Sequence, residues 1–346
     1  MHPSKISKKD AVLRYERTLH SLRIISSAAL MLGIMAIFSS IAIALLLSSD
    51  ISGLHAANSS AANIAQSNST FGHTLAGIDT PLNSTSLSII NSAPNAYFET
   101  AGEMYLNGSI ANPIFPQDAN KILSFSANGK PSVIYLGSIT CIFCGENRWA
   151  MALALSRFGN FSRLYTGYSS FGDADVPTLY WTADNYNKSG TAIGNYYTSN
   201  ILTFISIEDE NPITGGFVLN PLPTILNNVK QYKNQTYTSA LEYIFNLSNN
   251  RTTAFQGTPY TIWGSYQFSG ADAAVFGNST PSGNSVALTY MTHAQVLSQL
   301  AVPNDQFAFS EYAAADLYVA AICKSLNNTA QVCSIPAIAS IEALLK

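Results

Sequence analysis

Of 346 residues only 11% are charged, and the formal net charge is −3, against roughly 25% charged in ordinary soluble domains. Beyond residue 51 there are 11 Lys/Arg and 17 Asp/Glu, a balance of −6, with no basic cluster. That excludes the electrostatic footprint of a nucleic-acid binder.

The first 23 residues carry Lys5, Lys8, Lys9, Arg14, Arg17 and Arg23 against only Asp10 and Glu16. Residues 24–48 follow without a charge, long enough to cross a hydrocarbon core of roughly 30 Å. A signal peptide usually has an apolar run of only about 7–15 residues, so the sequence predicts an uncleaved single-pass anchor. Small residues in "LHAANSS" (54–60) keep cleavage as the alternative. The basic flank places the N-terminus in the cytoplasm and the remainder outside the cell membrane. Residues 49–93, rich in Ser, Ala and Asn, read as a flexible stalk. N-x-S/T sequons at Asn58, Asn68, Asn83, Asn107, Asn160, Asn187, Asn234, Asn246, Asn250, Asn278 and Asn327 suit a glycosylated exterior protein.

From residue 94 to 346 the chain gains aromatics and apolar periodicity, and about 250 residues suffice for one domain with a real core. "PSVIYLGS" (131–138) predicts a buried strand. Trp149, Leu153, Leu155 and Phe158 then define a helix closed by Gly159. Strands are expected at 163–170, 177–183 and 200–208, and mostly helix over 221–243. "GTPYTIWGSYQFSGA" (257–271) reads as a hairpin turned by Gly264-Ser265, followed by helix at 294–300 and 305–326. The fold class is α/β, with a helical insertion and C-terminal helices.

Between the first strand and its helix lies Cys141-Ile142-Phe143-Cys144. A pair at i and i+3 suits a helix's first turn, where free N–H groups and the dipole stabilise a thiolate. On that reading Cys141 is the exposed nucleophile and Cys144, one turn inward, resolves the mixed disulfide. No Lys or His neighbours Cys141 in sequence. Arg148 lies two helical turns from Cys141, too far for direct pairing along the helix. An inert structural disulfide is the rival, because the exterior favours disulfides. A metal half-site needs two further ligands; the histidines (His2, His20, His55, His73, His293) are scattered, leaving only Cys323 and Cys333 to complete four cysteines. The reading is no metal and no cofactor. Cys323 and Cys333 flank "KSLNNTAQV" and read as a structural bridge, with a second shuttle pair as the alternative. Asp173, Asp175, Glu208, Asp209 and Glu210 lack fixed ligand spacing and read as a solvated loop. No P-loop, G-x-G-x-x-G or G-x-S-x-G occurs.

"VIYLGSITCIFCGENRWAMALALSRFGNFS", with "VPTLYW", "ISIEDENP" and "AAICKSLNN…VCS", resembles the archaeal DUF929 family of membrane-anchored proteins, which is placed in the thioredoxin-like superfamily. The resemblance runs from about residue 94 to the end, and its most specific stretch spans C-x-x-C to Arg-Trp-Ala. It implies a thioredoxin-like domain in which a cis-proline faces the cysteine pair. Pro259, with Thr258 and Tyr260, is the candidate to present a client backbone by strand-like pairing; Pro177 competes. The sequence departs from thioredoxin in its Ile-Phe dipeptide and in Tyr135, which stands where a buried acid would lie. Asn147 stands where the family pattern has Glu. The implied function is thiol–disulfide exchange with client proteins that carry thiols or disulfides. The alternative is a glycosylated surface binding protein on the same fold with an inert 141–144 bridge.

Overall fold

A computed structural model describes residues 80–110, 120–139, 141–169, 176–184, 191–209, 222–249, 259–269, 288, 291–304 and 306–345. The anchor segment 24–48, the stalk up to residue 79, Thr258, and the acids Asp173, Asp175 and Glu210 lie outside them. Among the described residues no helix is long and apolar enough to cross a membrane.

The spine is β3 (Lys130–Ser138), and its alternate side chains enter two different cores. Val133 and Tyr135 join the larger core, whereas Ile134 and Leu136 join the smaller. A strand buried on both faces must read as an unbroken apolar run, as "VIYL" does. Seven residues pair it in parallel with β9 (Thr203–Asp209), from Ser132↔Thr203 to Ser138↔Asp209. On its other side runs antiparallel β10 (Tyr260–Trp263), which turns at Gly264 into β11 (Tyr266–Ser269). Short strands β1 (Asn120–Lys121) and β7 (Thr191–Ile193) complete the order β1-β11-β10-β3-β9-β7, and β2 (Ser126–Ala127) pairs with the start of β3.

A parallel pair needs a long crossover. Here it contains α3 (Ile142–Leu155), β4 (Asn160–Arg163), β5 (Tyr165–Tyr168), β6 (Pro177–Tyr180), β7 and β8 (Tyr196–Thr198). Strands β4 and β8 form one small sheet and β5 and β6 another. On the Val133/Tyr135 face pack α3 and α7 (Gln306–Ser325), with Trp263 stacked on Tyr318 at 4.4 Å. The opposite face is covered by α4 (Leu222–Gln231) and α5 (Gln235–Asn249) through Ile225, Val229, Leu241 and Ile244. The fold is therefore mixed α/β with a central sheet and helices on both faces.

Several boundaries depart from expectation. The stalk does not extend to residue 93: α1 (Ser84–Asn91) packs onto the domain, with Ile90 fully buried. Its Ser/Asn composition supplies a helix cap, the Asn83 side-chain Oδ1 accepting from Ser86 N at 2.9 Å. Leu82 N donates to Leu164 O at 2.8 Å and ties this entry to the body. The expected strand at 163–170 is divided between β4 and β5, each with a different partner. The helical stretch 221–243 is two helices, and α2 (Asn95–Leu106), β7, β8 and α8 (Pro336–Leu344) were not expected. α6 (His293–Ala301) and α7 fall where helix was expected.

Candidate active site around the cysteine pair

Strand β3 ends at Ser138, and the chain turns into α3 with Cys141 as its N-cap. Cys141 has extended backbone, and its sulfur accepts from Cys144 N at 3.5 Å. That is the bond a Ser or Asp cap makes to relieve an orphan amide. The same bond corrects the expectation of an exposed nucleophile. With Sγ turned onto the first turn, Cys141 is 1% exposed, and Cys144 is fully buried. Both are free thiols. Cys144 Sγ in turn accepts from Ser138 N at 3.4 Å. Burial, then the hydrogen bond with Cys141, pushes the Cys144 thiol well above the usual range, with Arg148 working in the opposite sense.

Beneath the pair lies a polar cluster that sequence reasoning missed. Arg148 and Glu208 form a bidentate ion pair, Nε to Oε1 at 2.7 Å and Nη2 to Oε2 at 2.8 Å, with side chains 0% and 1% exposed. Glu208 is thus not part of a solvated acidic loop; β9 carries it inward. Arg148 Nη2 also donates to Ser138 O at 2.9 Å, and Nη1 to Thr178 Oγ1 at 3.2 Å. The Thr178 hydroxyl donates to Gly145 O at 2.6 Å, and the Tyr180 hydroxyl lies between Ile139 O at 2.9 Å and Tyr168 O at 2.8 Å. β6 and Arg148 together therefore clamp the backbone on both sides of the cysteines. Gly145 permits this approach, since a methyl group there would meet Val176 Cγ2 at 3.0 Å.

Tyr135, six residues before Cys141, donates its hydroxyl to Glu208 Oε2 at 3.3 Å. Gly137, paired with Glu208, leaves the room, because a Cβ there would collide with the Tyr135 hydroxyl. A buried acid therefore does reach this site, from the neighbouring strand rather than from β3. Burial raises the Glu208 carboxyl and Arg148 opposes the shift. For Arg148, burial is the largest single influence and would discharge the guanidinium, but Glu208, Tyr135 and Tyr180 together outweigh it and keep the charge. The guanidinium also lies 4.7 Å from the Tyr180 ring centroid.

Of the other expected site residues, Pro259 immediately precedes β10. Continuing the register Tyr260↔Leu136 by one step sets it level with Gly137, at the end of β3 that leads to Cys141. The Tyr260 side chain is fully buried in the smaller core, with Ile134 and Leu136, on the sheet face that α4 and α5 cover. Its backbone sits between β3 and β11, so it is interior and does not line a client surface. The competing Pro177 begins β6, and its carbonyl accepts from Trp149 Nε1 at 2.9 Å. The buried Asn147 accepts from the Tyr318 hydroxyl at 2.5 Å. Asp209 accepts from the Thr191 hydroxyl at 3.1 Å.

Cys323 and Cys333 form a disulfide with Cα atoms 5.5 Å apart, joining α7 to the short turn Gln331–Ser334. Bonded to each other, they do not complete a four-cysteine metal site with Cys141 and Cys144. Among the described residues no group of three or more His, Cys, Asp or Glu could hold a metal ion. His293 bridges α6 to the β5/β6 hairpin, its Nε2 lying 2.7 Å from Gly167 O and 3.0 Å from Thr178 O. The sequon residues Asn83, Asn107, Asn160, Asn246 and Asn327 are exposed.

Residues 120–324 match the family model "Domain of unknown function (DUF929)", and the chain belongs to that family. No curated protein and no solved structure matches it.

Proposed function

We propose that this DUF929 protein is a membrane-anchored, extracytoplasmic thiol–disulfide oxidoreductase whose working pair is Cys141 and Cys144. The observation that carries the reading is the cap. Cys141 sits at the amino end of α3 with its sulfur on the first-turn amide of Cys144, where a thiolate gains from the helix dipole and unpaired N–H groups. Support comes from topology as well. The strand order β11-β10-β3-β9, with the cysteines between β3 and the helix after it, is the four-strand order of thioredoxin-like domains. Pro259, buried immediately before β10, keeps the proposed role of the proline that meets a client, with Thr258 before it in sequence.

In the reducing direction the Cys141 thiolate attacks a client disulfide. An S–S bond to Cys141 forms, the client S–S bond breaks, and one client thiolate leaves and takes a proton. Cys144 then gives up its proton and attacks Cys141 Sγ, expelling the second client sulfur as a thiol. The client gains two electrons and the pair becomes a disulfide, which a dithiol carrier of unknown identity must reduce. The reverse sequence oxidises a client dithiol.

A second reading has its own observation. Both sulfurs are buried, which suits an inert pair in a surface binding protein. Trapping in the native membrane separates the two. Cys144→Ser should accumulate clients as mixed disulfides on Cys141, whereas Cys141→Ser should trap none. No trapping by either variant would leave the inert pair as the better account, and equal trapping by both would refute Cys141 as the sole attacking sulfur. The anchor is tested by protease treatment of intact cells, which should remove the domain and spare the basic N-terminal flank. Protection of the domain would refute that orientation.

A further inference from the structure

Charge pairs are not placed in a core for stability alone, since replacing both partners with packed apolar side chains is often neutral or stabilising. Arg148 is fully buried, with the Tyr135 and Tyr180 ring centroids 5.8 and 4.7 Å from its guanidinium carbon. Yet the guanidinium is held there by two bonds to Glu208, one to Ser138 O and one to Thr178 Oγ1. The peptide on the far side of Ser138 matters most, because Ser138 N donates to Cys144 Sγ. One residue therefore has its amide on the resolving sulfur and its carbonyl on Arg148.

We propose that Arg148, counter-charged by Glu208, is the positioning residue of the cysteine pair: it fixes the Ser138 peptide against Cys144 and supplies the positive charge that Cys144 needs when it becomes the attacking sulfur. This rests on the redox reading above and adds to it the group that controls the second step. Charge developing on a fully buried sulfur is strongly disfavoured unless a cation faces it. The titratable and charged groups around Cys144 are Cys141 at the start of α3, Arg148 further along it, Tyr135 on β3 and Glu208 on β9. Among these groups of the described residues Arg148 is the positive one, and the buried acid Glu146 lies two residues further along α3 from Cys144. Glu208 offsets part of its charge, so the two partners act on the sulfur with opposite signs.

Opposite signs provide the test. In full-length protein carrying Cys141→Ser, the Cys144 thiol is titrated by the ultraviolet absorbance of its thiolate. Glu208→Gln keeps the shape and removes the negative charge, so Cys144 should titrate at lower pH than in the parent. Arg148→Gln leaves the carboxylate unopposed, so Cys144 should titrate at higher pH. Arg148→Lys should restore most of the parent value. A purely structural role would move both single variants the same way, and that outcome overturns the proposal. If Arg148→Gln fails to fold, the near-isosteric Glu208→Gln decides alone: no downward shift refutes the proposal. The titration needs no client, so it is independent of mixed-disulfide trapping. Failed trapping with split titrations would reject the exchange function and leave the electrostatic assignment standing. Trapping without the split would do the reverse.

Discussion

Arg148→Met leaves Glu208 buried with the Tyr135 hydroxyl at 3.3 Å in place of two charged bonds at 2.7 and 2.8 Å. Removing one partner of a buried pair costs about 3–5 kcal/mol, because the remaining charge is uncompensated. A domain has only about 5–15 kcal/mol in total, so the single variant should be severely weakened. Glu208→Leu strands the guanidinium, which keeps Ser138 O and Thr178 Oγ1 as acceptors, and should fall near the lower end of that range. The double variant loses both charges together. What remains without a partner is the Tyr135 hydroxyl, at about 1–3 kcal/mol, because Ser138 O keeps the Cys141 amide at 3.3 Å. The loss in the double variant should therefore be about 3 kcal/mol smaller than the sum of the two single losses. Urea titration followed by fluorescence of the neighbouring Trp149 and Trp181 provides the four corners of the cycle. Additive losses would refute the claim that these two residues form one electrostatic unit.

Three further outcomes follow from other parts of the domain. Cys323→Ala with Cys333→Ala opens a bridge spanning ten residues and should cost about 2.7 kcal/mol from loop entropy. Client trapping at Cys141 should survive, and a double variant as stable as the parent would remove the bridge's structural role. Asp316, fully buried between α7 and Gly102 of α2, is held well above the carboxylate range by burial, then by Glu99, with Arg157 opposing. Its folded state keeps the proton, so its contribution to stability is greatest below about pH 4 and declines as pH rises toward the raised value. Asp316→Asn should remove that decline in urea midpoints, and parallel profiles for parent and variant would refute the assignment. His293 is shifted below its ordinary value by burial, against its bonds to Gly167 and Thr178. Its contribution is present above about pH 6.5 and lost as pH falls toward the lowered value. Thermal midpoints of the parent should therefore fall over that window, and those of His293→Gln should not.

The parts of the fold that the sequence made legible are those with one dominant period. β3 reads as a strand because both of its faces are buried, and the hairpin reads through Gly264, which has φ +62°. The missed elements lack such a signal. α1 looks like linker because its Ser and Asn are cap residues. α8 follows a Pro that serves at its first position, and its stripe is a short one of Ala and Ile. The pair β4/β8 joins residues 33 to 38 apart in sequence, from Arg163↔Tyr196 to Asn160↔Thr198, a register that no local pattern encodes. At the site, C-x-x-C spacing was legible, and so was its place between a strand and a helix. Arg148 and Glu208 were not, being 60 residues apart. A signal was present: Arg148 stands in the otherwise apolar "RWAMALAL", which a solvated arginine would not do. Its partner was hidden inside an acidic run resembling a loop.

The feature that recommends Cys141 as the nucleophile also hides it. A cap sulfur is stabilised by turning onto the free amides of the first turn, and that turn puts it at 1% exposure. Stabilisation and access therefore compete for one rotation, about the Cys141 side chain. The surrounding clamp decides which part can yield. Ser138 O is fixed by Arg148, Ile139 O by Tyr180 and Gly145 O by Thr178. These bonds lie on the interior side of the loop, whereas Ile142 and Phe143 between the cysteines are only partly buried. Outward rotation of the Cys141 side chain would thus break its 3.5 Å contact to Cys144 N and leave the clamp on Cys144 intact. In such a site the first sulfur can swing while the second stays fixed, and this is the asymmetry that attack followed by resolution requires.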